Sequence, residues 1–255
     1  MPTVSIEEQA RQFVIERVAL QTAAVSRMDT LVRKAIQQIV DISRKYRIPP
    51  SRFSFSADTR LKRDVDAVIS ALLEDILSDI EYRVTYDIQD EEDKHNIILW
   101  LLLAFKGKNI RQRLSSYLQD LLSDILPQVA AATIGSKSSS VYSIEIFNSL
   151  THPETSSLYR EAEANGYPGT ERKRSPVGIY VYAYNNLKRA VSDQVARTRQ
   201  RVYYDIQHKQ TTQWLVMRGS RYPCSLCDSM CGITTKPENL PPFHPNCCCF
   251  AVPLD

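Results

Sequence analysis

The first 223 residues contain no cysteine; all six cysteines fall between Cys224 and Cys249. That distribution excludes a secreted scaffold stapled along its length, because disulfides stabilise a chain by closing loops throughout it. Long apolar runs are missing too: no stretch of the sequence approaches the roughly 18 residues that mark a spanning helix. The opening MPTVSIEEQARQF is polar and acidic, with no basic stretch before an apolar core, so no secretory signal is expected. The expected setting is a cytoplasm, or a particle assembled there. There is no Gly-rich phosphate loop and no H-E-x-x-H motif. Glycine (7) and proline (13) are too sparse for a fibrous or disordered chain. A net charge of +3 permits an acidic partner without by itself announcing a nucleic-acid binder.

What is present suits one large or two small domains, since 255 residues with 43% hydrophobic side chains can bury a core. From Ile6 to about Tyr46, apolar residues such as Ala10, Phe13, Val14, Met28, Leu31, Val32, Ile36 and Ile39 recur at spacings of three and four, the amphipathic helical period. Ser5 reads as its cap, with Glu7 and Glu8 in the first turn, and Pro49 and Pro50 end it. A second helix is expected from about Asp58 to Val84. A third is expected from about Asp90 to Val129, with a break near Gly107 and a stretch Ile97–Phe105 dense enough to be buried on most sides. ISALLEDILSDI at 69–80 resembles LSSYLQDLLSDI at 114–125; two helices meeting the same demand for one leucine-rich face explain this better than a duplicated hairpin. Asp75, Asp79, Asp120 and Asp124 then read as solvated flanks.

Composition changes near residue 133, where IGSKSSSVYS suits an exposed loop, followed by VYSIEIFNSL as a short strand or helix start. A second irregular stretch is NGYPGTERKRSP at 165–176, and helical spacing returns from about Val177 to Val216. The expected fold is therefore mainly α: an elongated helical bundle over 1–132, an irregular linker with short elements over 133–176, and over 177–255 a basic helix plus a small α+β module like a zinc knuckle. Between Glu171 and Tyr222 eleven Lys and Arg face three Asp and Glu. Arg197, Arg199, Arg201 and Lys209 alternate there with Tyr203, Tyr204 and His208. Such a segment meets phosphates and bases, or is a solvated helix face whose tyrosines snorkel at a protein contact.

The sharpest local signal is CSLC at 224–227 followed by FHPNCCC at 243–249. A Cys-x2-Cys turn presents two thiolates to one ion, and His244 with a later cysteine completes a tetrahedral zinc site. Cys247 follows His244 by three residues and Cys249 by five, so either closes the set. In an extended stretch Cys247 and Cys249 share a side and Cys248 faces away. The preferred four are Cys224, Cys227, His244 and Cys249, with Cys247 as the alternative and Cys231 as a small buried neighbour or spare ligand. A disulfide-linked or unmetallated knuckle is the competing reading. A catalytic metal is disfavoured because three thiolates and a histidine leave no open position. No catalytic constellation emerges: nothing orients His244 beside Cys247 as a nucleophile–base pair, His95 reads as an interface residue and His152 as a turn residue.

WLVMRGSRYPCSLCDSMCG at 214–232 and LPPFHPNCCC at 240–249 together resemble the C-terminal region of phage Mu F-type minor head proteins and the related SPP1-type head morphogenesis family. Trp214, Cys224, Cys227, Gly232, Pro241, Pro242, His244, Pro245, Asn246, Cys247 and Cys249 match that family's pattern. ARTRQRVYYD at 196–205 is similar to the helix that precedes it. The resemblance covers roughly residues 190–252; Cys231 and Cys248 depart from it, the latter standing where arginine is frequent. It implies a non-enzymatic virion protein of a tailed-phage head, assembled in the bacterial cytoplasm and present in few copies near the portal vertex. There it would aid head morphogenesis or DNA packaging and delivery. The implied partners are portal or major capsid proteins, further copies around the vertex and, non-specifically, packaged DNA. No effector domain of the kind fused to some relatives is expected after Cys249. The alternative is a zinc-containing DNA-binding or DNA-processing protein.

Overall fold

The computed structural model describes residues 5–103, 107–150, 156–170, 183–244 and 247–254. Among these the fold is mainly helical, a bundle followed by a small β module that carries the cysteines and His244. Eight α-helices run as α1 (Ile6–Lys45), α2 (Thr59–Thr85), α3 (Glu91–Leu101), α4 (Ile110–Ile134), α5 (Ser139–Asn148), α6 (Ser157–Ala164), α7 (Ala183–Val202) and α8 (Ser225–Met230). Three strands, β1 (Trp214–Met217), β2 (Gly232–Thr234) and β3 (Phe250–Pro253), form one antiparallel sheet in the order β2-β1-β3.

The local chemistry explains the boundaries. The Ser5 hydroxyl accepts from the Glu8 N–H at 3.2 Å and starts α1. Asp90 caps α3 by accepting from Asp93 N–H, and Asn109 with Gln112 forms a reciprocal capping box on α4. Between α3 and α4, Gly107 adopts φ +80, a left-handed conformation that breaks the helical run. Ser138 and Ser156 cap α5 and α6, so VYSIEIFNSL is helix and the segment expected as linker carries two capped helices.

Compactness divides the chain differently from composition. One unit comprises Met1–Val25, Ile80–Leu103 and Val191–Asp255; the other comprises Ser26–Asp79 and Ala104–Ala190. In the second unit Val32, Ile36, Ile39, Leu61, Val65, Leu114, Leu118, Leu121 and Ile125 are buried. The matching phrases at 69–80 and 114–125 both lie in helices, and their equivalent positions Ile69/Leu114, Ile76/Leu121, Leu77/Leu122 and Ile80/Ile125 are all buried. The C-terminus of α4 is satisfied by one side chain: the Arg44 guanidinium donates to the carbonyls of Ala132 (3.0 Å), Gly135 (3.0 Å) and Lys137 (2.7 Å) and lies over the Tyr142 ring.

The first unit holds the sheet. Trp214 lies opposite Thr234 on one side and Pro253 on the other, and Val216 opposite Ala251. Trp214, Val216, Leu240, Ala251 and Tyr204 make its apolar core. Helical structure expected through Val216 gives way earlier: α7 ends at Val202, a π-turn occupies Tyr203–Gln207, and Trp214–Met217 is a strand. The reason is tertiary, since β1 is fixed by pairing with β3 rather than by its own period. The other correction concerns α3. Ile97 and Leu101 are buried, but Leu99, Leu102 and Leu103 are exposed, so the described part of the stretch, 97–103, is buried on one face only; Ala104 and Phe105 lie outside the described residues.

Candidate metal centre

The site is built by the loop after β1, by α8 and by the segment that returns to β3. Arg218, just past β1, organises the first half. Its guanidinium pairs with Asp228 and donates to the carbonyls of Ser220 (3.2 Å), Tyr222 and Cys224 (3.5 Å). This ties the turn 218–224 to α8. Cys224 stands at the N-terminal boundary of α8, its carbonyl accepting from Asp228 N–H at 2.9 Å, and Cys227 lies one turn on. In the returning segment Cys247 N–H donates to the His244 carbonyl at 3.1 Å, which ties the backbone of the histidine to that of the cysteine.

All six cysteines are free thiols, which disfavours the disulfide-linked knuckle. Cys224, Cys227 and His244 form one donor group, and Cys227, Cys247 and Cys249 a second; within each group the ligand atoms lie within 4.8 Å of one another. His244 Nε2 is 3.0 Å from Cys227 Sγ and 3.4 Å from Cys224 Sγ, and Cys227 Sγ is 3.9 Å from Cys247 Sγ. A tetrahedral ion with Zn–S and Zn–N bonds of about 2.3 and 2.0 Å sets sulfur and nitrogen about 3.5 Å apart and two sulfurs about 3.8 Å apart; the S···S separation matches and the S···N separations fall short by at most about 0.5 Å. The residues present therefore fit a metal ion. Cys227, Cys247 and Cys249 are buried, Cys224, Cys231 and His244 half-buried, and Cys248 faces solvent.

The electrostatics distinguish the thiols. The Cys227 N–H donating to the Cys224 sulfur, with the Cys227 and His244 side chains, holds the Cys224 thiol below its ordinary value. Burial pushes the Cys227 thiol far up, and the neighbouring thiols of Cys224, Cys249 and Cys247 push it further. Burial also raises Cys249, although Gly219 N–H donates to its sulfur and works the other way. Three sulfurs crowded in one buried place are poor company as thiolates, and a cation among them offsets both the burial and the mutual repulsion.

Side chains that the cysteine spacing does not reveal support this centre. Gly219 is required by close approach: a Cβ there would stand 1.9 Å from the Cys248 carbonyl oxygen. Gln200 Nε2 donates to the Cys249 carbonyl at 2.7 Å, and the buried Tyr204 hydroxyl accepts from Ala251 N–H at 3.1 Å. The adjacency of Arg218-Gly219 to the cysteine turn was the only sequence signal for any of them.

The four candidate phosphate-binding side chains do not form one free basic face. Arg199 donates to both carboxylate oxygens of Asp87 and lies over the Tyr86 ring. Arg201 pairs with Asp205 at 2.5 Å, one turn along. Arg197 is half-buried and Lys209 exposed. Arg172, Lys173 and Arg174, which contribute much of the local charge, lie outside the described residues, as do His152, Pro245 and Asn246. His95 is exposed on α3. No helix is long and apolar enough to cross a membrane among the described residues.

Compared with models of protein families, with curated proteins and with solved structures, the chain matches none.

Proposed function

We propose that the C-terminal module is folded by structural zinc, held by Cys224, Cys227, His244 and Cys247 or Cys249, and that the chain is a minor head protein of a tailed phage. One observation carries the metal reading: donors up to 20 residues apart in sequence converge at 3.0, 3.4 and 3.9 Å without a disulfide. Soft sulfur donors with one imidazole select zinc over calcium or magnesium. Ligands on all sides leave the ion a folding role rather than a substrate position. What supports the virion reading is the Trp214…Cys-x2-Cys…Pro-Pro-x-His-Pro-Asn-Cys-x-Cys phrase and its likeness to Mu F-type proteins. On this reading the role is structural, the place is the phage head, and the partners are portal or capsid subunits.

The test has two arms. Native mass spectrometry of protein purified without chelator should find bound zinc, and a metal-free folded module overturns the first proposal. Particles induced from the genome carrying the gene should contain the chain in their heads. Purified particles without it overturn the second.

A further inference from the structure

Inside the sheet-bearing unit, the first part of α1 lies antiparallel to the second half of α7. Phe13 meets the Tyr203 ring edge-on at 5.4 Å, and Gln21 Nε2 donates to the Ser192 carbonyl (3.2 Å) and hydroxyl (3.0 Å). Where the small side chains of Ala19, Ala23 and Ala196 line the junction, the helices leave a cavity of about 380 Å³. That volume falls within the range of small-ligand sites, toward its lower end. Phe13, Leu20, Tyr86 and Tyr203 supply its apolar walls.

Two polar walls, Arg17 and Gln200, also hold the main chain of the cysteine-bearing segment, at the Cys247 and Cys249 carbonyls. Those carbonyl carbons are two residues apart in the chain, at most about 7 Å, so the two head groups stand close together. Neither is satisfied. Arg17 is half-buried; its hydrogen bond goes to a neutral carbonyl, and among the described residues no carboxylate pairs with it. Arg199, in the same wall, differs because Asp87 compensates its charge. Gln200 is 1% exposed, and its Oε1 is buried with no hydrogen-bond partner among the described residues. A half-buried guanidinium without a counter-charge favours an anion, and an orphaned amide oxygen favours an N–H or O–H donor. Glu16, the carboxylate at this cavity, is exposed and accepts from Gln12 at 2.7 Å, so solvent screens its charge.

We propose that this cavity binds an aromatic carboxylate carrying an N–H donor. The acid pairs with Arg17, the N–H donates to Gln200 Oε1, and the ring lodges among Phe13, Tyr86 and Tyr203, where ring–ring contacts add to burial. An acylated aromatic amino acid has all three parts, whether as a small molecule or as the last residue of a polypeptide. The site uses no candidate metal-ligand side chain, so it does not rest on the zinc reading.

The probe is N-acetyl-L-tryptophan, titrated calorimetrically into the full chain purified without chelator, with methyl NMR at Leu20 and Ala23 to place it. One saturable site that shifts both methyls is expected. N-acetyl-L-tryptophanamide, which lacks the charge, should bind about tenfold or more weakly. Arg17→Met should bring acid and amide to equal affinity, a loss of discrimination that loosening of residues 247–253 would not produce. Ala23→Trp fills the space from an exposed position and should abolish binding while leaving the Arg17 contact in place. No saturable binding, equal affinity of acid and amide in the unaltered chain, or undiminished binding by Ala23→Trp overturns the proposal. Acetyl-Gly-Gly-Gly-Trp binding as tightly as the probe upholds the site as one for a polypeptide terminus. Binding of the short acid alone upholds it as one for a small molecule.

Discussion

The Arg17 guanidinium donates to the backbone carbonyl of Cys247 at 2.7 Å, across 230 residues of chain. The first helix thus holds the cysteine-bearing segment by its main chain, next to the Gln200 contact on Cys249. Arg17→Met keeps much of the apolar stem and removes the donor. It should cost about 1.5–3 kcal/mol, the range for a hydrogen bond that involves a charged group. Hydrogen exchange should show faster opening of residues 247–253. Unchanged exchange there would mean that the contact contributes nothing.

Removing the metal should unfold the module and spare the bundle. Binding energy at gathered ligands is folding energy, on the order of 10 kcal/mol in small zinc modules. Chelation, or Cys224→Ser, is expected to expose the chain after Trp214 to protease while α2 and α4 stay protected. Equal digestion of treated and untreated protein would contradict a structural ion.

Gly219→Ala places a methyl group against the Cys248 carbonyl, so the backbone must shift and the Gly219 N–H must leave the Cys249 sulfur. Outer donors of this kind tune metal affinity by roughly 10- to 100-fold. A competition titration with a chromophoric chelator should show a loss of that size. An affinity equal to the unaltered protein's would exclude Gly219 from the centre.

The Asp87–Arg199 pair should make stability depend on acid. Arg199 holds the Asp87 carboxyl below the usual carboxylate range. A depressed folded value means that the contribution is complete above the unfolded value of about 3.9 and is lost as pH falls through the folded value. The two side chains are partly exposed (21% and 31%), which argues for about 1 kcal/mol. Asp87→Asn should lower the denaturation midpoint at pH 7 and make little difference at pH 2. A variant as weak at pH 2 as at pH 7, relative to the parent, would point to packing instead.

Arg44→Lys tests the cap on α4. A lysine keeps the charge but cannot serve three carbonyls from a rigid fork. The expected loss is about 1–3 kcal/mol, since freed carbonyls and the Ser139 hydroxyl contact are only partly replaced by water. An unchanged thermal midpoint would show that solvent caps this helix equally well.

Much of the bundle was legible because its causes are local. Ser5, Pro49-Pro50 and the spacing of Met28, Val32, Ile36 and Ile39 mark α1 without reference to the rest of the chain. The same holds for α2 and for the break at Gly107. What escaped depends on distant partners. β1 looks like the tail of a helix until Phe250–Pro253 pairs with it. The ion pair of Arg199 with Asp87, 112 residues away, has no trace in the local spacing of the basic helix. The donor types at Cys224, Cys227 and His244 follow from spacing, whereas the sharing of Cys227 between two groups is a matter of three-dimensional placement alone.

The interleaving of the units also governs the order in which the chain can fold. Met1–Val25 belongs with Val191–Asp255, and Phe13 stacks on Phe250 at 5.4 Å. Within that unit Arg17 also meets Cys247 across 230 residues of chain, so the contacts that hold the cysteine-bearing segment are among the most distant in the sequence. The entropy of closing so long a loop must be met before such contacts reward it, which makes this unit the slower of the two to fold.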